Sequence, residues 1–202
     1  MLRVGITGGI GAGKTTVCKI FRALGISVFD ADLSAKRMMA EDPELRNQLI
    51  LQFGPASFGE DGTLNRKYLA EKVFHDDAEL NRLNQLVHPF VLKDYESWLQ
   101  KIPRAPYSIR EAAILLESGT YKDLDVIIVI DSPEDLRIKR VIQRDKRTET
   151  EVRLIISKQW PMEKKQKFAS FIIQNNEKQL LIPQVLHFHQ LLKTKSEQNE
   201  SA

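Results

Sequence analysis

Short runs of consecutive apolar residues recur along the chain and predict β-strands. Several runs are continuously apolar instead of alternating with polar residues, a pattern typical of parallel strands that are buried on both faces. The five predicted strands are Leu2–Thr7, Ile26–Asp30, Ala112–Leu116, Val126–Ile130 and Phe171–Ile173.

Apolar residues at helical spacing occupy most of the segments between these runs. A helix predicted over Lys14–Leu24 is followed by Gly25, which suits the left-handed residue that often ends a helix. The last helix is predicted over Leu180–Leu192. The alternation of strands and helices indicates an α/β fold, in which helices flank a five-stranded parallel sheet.

Two segments do not follow this alternation. Residues 33–106 are mainly helical in pattern and too long for a loop, so we expect an inserted helical substrate subdomain there. Residues 144–167 are polar and lack glycine, and we expect a small lid. The core of the single domain then spans about residues 1–32, 107–143 and 168–193, and residues 194–202 are predicted to form a disordered tail.

Composition places the 202-residue chain among ordinary globular proteins. Hydrophobic residues make up 42% and charged residues 28%, which argues against a disordered or fibrous chain. No apolar run approaches the roughly 20 residues that a transmembrane helix needs. The single cysteine, Cys18, excludes an intramolecular disulfide framework and a multi-cysteine zinc site, so a reducing cytoplasm is the expected location.

Positive charge is concentrated in one part of the chain. The net charge is +3, but residues 137–167 contain eleven Lys or Arg and four Asp or Glu, a local charge of +7. A basic segment of this kind suits a polyanionic ligand such as ATP or nucleic acid. A solvated basic helix face is the alternative. These charges are not interleaved with a platform of aromatic side chains of the kind that nucleic-acid binding would require, so we expect no nucleic-acid partner.

A glycine-rich loop follows the first predicted strand. The segment Gly8–Thr15, GGIGAGKT, fits the P-loop pattern G-x-x-x-x-G-K-[ST], in which backbone N–H groups and the next helix N-terminus face phosphate oxygens. Lys14 would bridge the β- and γ-phosphates, the Thr15 hydroxyl would coordinate Mg²⁺, and Thr16 would lie near the α-phosphate. The residues predicted to contact ATP are Gly9, Gly11, Ala12, Gly13, Lys14, Thr15 and Thr16.

Acidic residues follow the second and third predicted strands. The carboxyl ends of parallel strands share the edge at which ligands bind, so Asp30, Asp32 and Glu117 are candidates for a site there. Asp32 could accept a proton from an attacking hydroxyl or hold it in line with the γ-phosphate. Glu117 could bind substrate or orient water around Mg²⁺. Helix capping remains the alternative for Asp30 and Glu117, and a salt bridge for Glu117.

Two arginines with a four-residue spacing share a predicted helix face. Arg140 and Arg144 could clamp the charge that develops on a transferred phosphoryl group, and a solvated basic stripe is the alternative. His88 precedes Pro89 within a helical pattern. A lone histidine of this kind is more often a packed or capping residue than a catalytic one.

Taken in order, these motifs resemble those of the dephospho-coenzyme A kinase family. The resemblance rests on the P-loop, Asp30-Ala31-Asp32, His88-Pro89, Leu115-Leu116-Glu117 and Gln143-Arg144-Asp145, and it extends from Val4 to about Asn176. It implies transfer of the ATP γ-phosphate to the ribose 3′-hydroxyl of dephospho-CoA, giving CoA and ADP. It also implies a P-loop NTPase-type core with a helical CoA-binding subdomain and a lid.

The resemblance assigns roles to single residues. It implies that Asp32 is the base or positioning carboxylate, that Arg140 and Arg144 act from the lid side, and that His88 and Glu117 line the acceptor site. Asn175 matches an asparagine that contacts adenine. Three positions depart from the family pattern: Ala113 replaces a common proline, Ser170 replaces an aspartate, and Glu177 replaces a glycine. The last two departures bear on the adenine contacts.

Other functions remain open at this level. A different P-loop small-molecule kinase, related to shikimate or nucleotide kinases, would also combine a P-loop with an acid after the second strand. A GTPase would need an Asn-Lys-x-Asp guanine reader, which the sequence lacks. We expect ATP and dephospho-CoA as small-molecule partners, no membrane partner, and a monomer or weak homo-oligomer.

Overall fold

The computed structural model describes residues 1–74 and 76–200. Within them, five strands pair in parallel in one sheet, and their order from edge to edge is second, third, first, fourth, fifth. This confirms the predicted α/β class. The strands are β1 (Leu2–Thr7), β2 (Val28–Asp30), β3 (Tyr107–Glu111), β4 (Val126–Asp131) and β5 (Phe171–Gln174).

Along the chain, helices follow β1, β2, β4 and β5, singly or in succession. A short 3₁₀ turn at Pro55–Ser57 lies between the third and fourth helices. The helices are α1 (Lys14–Ala23), α2 (Ala31–Glu41), α3 (Pro43–Phe53), α4 (Arg66–Phe74), α5 (Asp77–Leu99), α6 (Glu134–Asp145), α7 (Glu149–Ser157), α8 (Met162–Gln166) and α9 (Leu181–Glu200). In the part of the chain that the structure describes, no helix is both long enough and apolar enough to cross a bilayer.

The third strand lies five residues earlier than the sequence predicts. The apolar run Ala112–Leu116 is not a strand, and its residues follow β3 in a series of turns. All five residues of β3 are buried, although Ser108, Arg110 and Glu111 are polar. Arg110 is paired with Asp123 through two contacts, at 2.6 and 3.1 Å. The prediction failed because a buried charge that has a partner can occupy a central strand.

The chain divides into two compact units. The sheet unit comprises residues 1–30 and 102–202, and the helical unit comprises residues 31–101. In the sheet unit, α1 packs through buried Val17, Cys18 and Phe21 against the apolar face of the strands. Phe21 meets the ring of Tyr107 edge-on at 6.3 Å between ring centroids.

The helical unit has its own apolar core. Leu45 and Leu49 are fully buried, and Phe53 and Val87 nearly so. Asp42 and Asp76 cap the N-termini of α3 and α5, since each accepts two backbone N–H groups. A polar link also joins α2 to α5. Ser34 and Arg37 donate to the Asp94 carboxylate, each at 2.6 Å.

The C-terminal helix is longer than predicted. The expected helix Leu180–Leu192 begins near its predicted start but continues to Glu200, so the predicted disordered tail is wrong for residues 194–200. Ser196 explains the extension, because its side chain is buried and its hydroxyl donates to the Pro106 carbonyl at 2.7 Å. Residues 201 and 202 of that predicted tail lie outside the described residues.

Candidate active site

The P-loop connects β1 to α1 at the carboxyl edge of the sheet. Gly11 and Gly13 have φ angles of 76° and 94°, in the left-handed region that favours glycine. Within the loop, the Ala12 amide donates to the Gly9 carbonyl at 3.0 Å, and the Thr16 amide donates to the Gly13 carbonyl at 3.0 Å. No described side chain caps the N-terminus of α1, so this positive end of the helix is left for phosphate oxygens.

Lys14 and the two threonines begin α1. The Lys14 ammonium lies 3.3 Å from the Gly8 carbonyl oxygen, back over the start of the loop. Thr15 and Thr16 are exposed. This arrangement places a cation at one end of the loop and two hydroxyls at the helix start.

Three polar side chains from distant segments hold the loop. The Asn175 side-chain amide donates to the Ala12 carbonyl at 2.8 Å, and a β-carbon at Gly13 would overlap that amide. The Ile10 amide donates to Gln159 Oε1 at 2.8 Å. Arg137 lies over Gly9 so closely that a β-carbon there would overlap its Nη1 atom. Asn175 was predicted to contact adenine, and in this structure its side-chain amide contacts the P-loop.

Asp30 and Asp32 differ in their surroundings. Asp30 is the last residue of β2, half-buried, and its backbone pairs in register with Glu111 of β3. Asp32 is exposed and lies in the first turn of α2, in the helical unit. The N-terminal end of a helix favours an ionised carboxylate at such a position. The role of Asp32 stays a prediction.

Glu117 lies in the turns after β3 and forms a buried ion pair. Its Oε1 atom is 2.5 Å from Lys165 Nζ and accepts the Trp160 backbone N–H at 2.9 Å. Lys165 is fully buried, and burial lowers the pKa of its ammonium while the hydrogen bond to Glu117 opposes that shift. Glu117 Oε2 is buried and has no hydrogen-bond partner among the described residues.

Glu111 is an acidic residue that the sequence analysis missed. It ends β3 next to the P-loop strand β1, and it is 5% exposed. It faces Cys18, which lies on α1 one turn after Thr15. Burial, and after it the charge of Glu111, raises the pKa of the Cys18 thiol. Correct placement of the third strand would have put Glu111 at the carboxyl edge, where it belongs with the candidate site.

Both predicted arginines lie on α6. Arg140 is the more enclosed of the two and donates to Ser132 Oγ at 3.0 Å and to the Asn175 carbonyl at 3.3 Å. Arg144 is largely exposed and hydrogen-bonds Asp145, which holds the pKa of that carboxyl below its usual range. Arg140 is therefore tied to the segment that follows β5.

The predicted lid segment contains α7 and α8. Thr148 and Glu151 form a reciprocal capping box at the start of α7. Beyond α7, Trp160 lies under the Lys164 ammonium at 3.5 Å from the ring centroid. Gly9 and Arg137 line a cavity of about 520 Å³ together with residues of the segment from Ile156 to Gln166, Trp160 and Lys165 among them. The lid role itself stays a prediction.

His88 belongs to the middle of α5. It is half-buried, and burial lowers the pKa of its imidazole. Pro89 follows it inside the helix and cannot donate a backbone hydrogen bond. The acceptor-site role of His88 also stays a prediction.

Comparison with known proteins decides the family. The profile of the family described as dephospho-CoA kinase matches residues 2–180. The chain belongs to the dephospho-CoA kinase family. This dephospho-CoA kinase family assignment covers all five strands and the whole helical unit, and it confirms the resemblance drawn from the motifs.

Individual relatives agree with the family profile. A dephospho-CoA kinase of Salinibacter ruber is 39% identical over 178 residues, covering 87% of this chain and 89% of the relative. The crystal structure of TT1252 from Thermus thermophilus has a TM-score of 0.77 and 32% identity, covering 87% of this chain and 88% of that one. A Campylobacter jejuni dephospho-CoA kinase has a TM-score of 0.68 and 25% identity, with 96% and 98% covered.

Proposed function

We propose that this protein transfers the γ-phosphate of ATP to the ribose 3′-hydroxyl of dephospho-CoA, giving CoA and ADP. The observation that carries the proposal is a P-loop whose left-handed glycines and helix N-terminus are formed, in a chain that matches dephospho-CoA kinases along most of its length. Another P-loop small-molecule kinase is not favoured, because the family profile and the Salinibacter ruber and Campylobacter jejuni relatives all carry the name dephospho-CoA kinase.

The P-loop residues bind the triphosphate. The backbone amides of Gly11, Gly13, Lys14 and Thr15 face the phosphate oxygens, and the Lys14 ammonium neutralises the terminal phosphates. The amides of Ile10, Ala12 and Thr16 are bound within the protein. Asn175 supports the loop from behind through its bond to the Ala12 carbonyl. We infer that its contribution to nucleotide binding is at least partly indirect, through the shape of the loop.

The donor set near Thr15 fits Mg²⁺. The described residues hold no cluster of three or more His, Cys, Asp or Glu that could bind a metal alone. Mg²⁺ in kinases usually takes only one or two protein oxygens and fills its shell with water and substrate phosphate. The Thr15 hydroxyl and the Glu111 carboxylate would supply those oxygens. When bound, Mg²⁺ neutralises charge on the β- and γ-phosphates.

The acceptor is held by acidic and polar side chains. Asp32 accepts or orients the proton of the 3′-hydroxyl, and His88 contributes to the acceptor site. For Glu117, the atom that remains for an acceptor hydroxyl is Oε2, since Oε1 is bound by Lys165 and Trp160. Arg140 and Arg144 balance charge on the transferred group, in a direct in-line transfer without a phosphoenzyme.

Water exclusion protects the triphosphate from hydrolysis. We propose that the segment 144–167 acts as a lid that closes when both substrates are bound, so that the hydroxyl rather than water is phosphorylated. The buried Cys18 thiol is compatible with a reducing cytoplasm as the location. We also propose that the protein works as a monomer or weak homo-oligomer, without a nucleic-acid or membrane partner.

A product assay tests the function directly. Purified protein is incubated with ATP, Mg²⁺ and dephospho-CoA, and the product is mapped to the 3′ position by mass spectrometry and NMR. Parallel reactions contain shikimate or a nucleoside monophosphate as the acceptor. We expect ADP release above background with dephospho-CoA only. Turnover with another acceptor and none with dephospho-CoA would overturn the proposal.

A further inference from the structure

Arg137 is a buried arginine that contacts the P-loop and takes no part in the mechanism proposed above. It lies on α6, one turn before Arg140, and is 8% exposed. Its Nη1 atom covers Gly9, and its backbone packs against Gly11. Arg137 can approach this closely because neither glycine has a β-carbon. The guanidinium also lines the cavity of about 520 Å³ beside the loop.

Arg137 covers the end of the P-loop at which the terminal phosphate of bound ATP belongs. In P-loops the lysine reaches the β- and γ-phosphates. Here the Lys14 ammonium lies 3.3 Å from the carbonyl of Gly8, the residue directly before Gly9. The α-phosphate belongs at the other end, where Thr16 begins the helix. Arg137 is thus next to the position of the transferred group.

The charge of Arg137 is only partly balanced within the protein. Its ion-pair partner is Glu134, at 3.5 Å, and the other oxygen of Glu134 is bound by Arg153 at 3.2 Å. The Arg137 Nε atom is buried and has no hydrogen-bond partner in the described part of the chain. Lys165, the other buried cation of this cavity, is in contrast closely paired with Glu117.

We propose that Arg137 donates hydrogen bonds to the terminal phosphoryl group of bound ATP, in addition to Arg140 and Arg144. A buried guanidinium that shares its carboxylate with a second arginine gains most from an anion that arrives with the substrate. The planar guanidinium can also donate paired hydrogen bonds to the equatorial oxygens of the phosphoryl group as charge develops on them. The proposal deepens the proposed kinase function and rests on it.

The test compares ligands that differ by the terminal phosphate. Arg137→Met keeps an unbranched apolar side chain over Gly9 and removes the charge. Isothermal titration measures binding of ADP and of a non-hydrolysable ATP analogue, both with Mg²⁺. We expect the affinity for the triphosphate analogue to fall by about 10- to 100-fold and the affinity for ADP to change less than about twofold. Arg137→Lys keeps the charge but loses the paired N–H donors of the guanidinium. Its affinity for the triphosphate analogue should lie between that of the wild type and that of Arg137→Met.

Two controls separate contact from structural support. Lys139→Met removes an exposed cation of the same helix and should bind both nucleotides normally. Dephospho-CoA itself carries a diphosphate, so its binding without nucleotide is measured as well and should be unchanged in Arg137→Met. An equal loss for ADP and the triphosphate analogue would show that Arg137 only supports the loop. No loss, or loss confined to dephospho-CoA, would also overturn the proposal.

The binding assay remains informative if the kinase function fails. Nucleotide titrations need no acceptor, so they report on Arg137 even if dephospho-CoA is not phosphorylated. If Arg137→Met does not fold, as judged by circular dichroism, the nucleotide affinities of Arg137→Lys alone test the proposal. A selective loss for the triphosphate analogue in that variant supports the contact, and unchanged or equally reduced affinities overturn it.

Discussion

Asp32 is the residue on which the proposed chemistry depends most. It is exposed at the start of α2, so its replacement should not disturb a packed core. We expect Asp32→Asn to lower kcat by about 10²–10⁴-fold with little change in ATP affinity. Lys14→Ala should instead impair ATP binding itself. Steady-state kinetics with both substrates, together with ATP titration, measure the difference. Near-normal turnover of Asp32→Asn would remove Asp32 from the mechanism.

The Glu117–Lys165 pair makes a prediction about stability. Lys165→Met leaves the Glu117 carboxylate buried without its cation, and this should cost about 3–5 kcal/mol in the free energy of unfolding. Urea denaturation measures the cost. Lys167→Met, at an exposed lysine two residues away, should cost little. The double variant Lys165→Met with Glu117→Gln should recover part of the loss, and equal costs at Lys165 and Lys167 would contradict the buried pairing.

Single residues varied in how well the sequence predicted them. The P-loop residues were recognised because their spacing is set by the phosphate they surround. Arg137 and Glu111 were missed because their importance depends on which strands are neighbours. Glu117 was predicted at a strand end, but the structure places it in the turns after β3, where Lys165 binds it. Long-range pairs of this kind leave no local pattern in the sequence.

At the scale of elements, the P-loop should tolerate a methyl group poorly. Gly11→Ala introduces a β-carbon that overlaps the Arg137 backbone and also forces alanine into a left-handed conformation. We expect at least a tenfold loss of ATP affinity, on the order of 1.4 kcal/mol, measured by titration. The matched control is Gly25→Ala.

Gly25 has a similar backbone angle but open space around it. Its φ is 82°, and apart from Gly25 and its two chain neighbours no heavy atom of the described residues lies within 4 Å of the position that a β-carbon would take. Gly25→Ala should therefore show only the conformational cost of about 1–2 kcal/mol in stability, with normal ATP affinity. If both variants lost nucleotide affinity equally, the contact with Arg137 would not be the cause.

The elements show why sequence patterns predicted most strands but not all. β4 is a continuous apolar run up to Asp131, and β1 is apolar at Leu2, Val4 and Ile6, so their burial is visible in the sequence. β3 carries Ser108, Arg110 and Glu111, and its burial becomes possible only because Asp123 neutralises Arg110. Likewise, α9 continues beyond its apolar pattern because the Ser196 hydroxyl donates a hydrogen bond to the Pro106 carbonyl.

At the scale of the whole molecule, His88 predicts how stability responds to acid. Burial lowers the pKa of this histidine in the folded protein, while the unfolded chain binds a proton near the ordinary value of about 6.5. Unfolding then takes up a proton below that pH, so acidification should reduce stability. Urea unfolding of the wild type and of His88→Gln at pH 7.5 and 5.5 should show a smaller decrease in the variant. Equal decreases would rule out a contribution from His88.

At this scale the sequence predicted the fold class, but not every boundary within the chain. The parallel α/β sheet follows from apolar runs separated by helical patterns, and the structure confirms it. The division into a sheet unit and a helical unit is a property of packing. The family match adds what neither pattern nor packing supplies, namely the substrate on which such a site acts.

The hydrogen bond from Asn175 to Ala12 joins residues 163 positions apart. During synthesis, the first strand and its glycine loop leave the ribosome long before the residue that braces them exists. At about 5–20 residues per second, the wait lasts on the order of ten seconds or more. The nascent protein therefore cannot complete its nucleotide pocket until residue 175 has left the ribosome, and ATP can stabilise the fold only from then on.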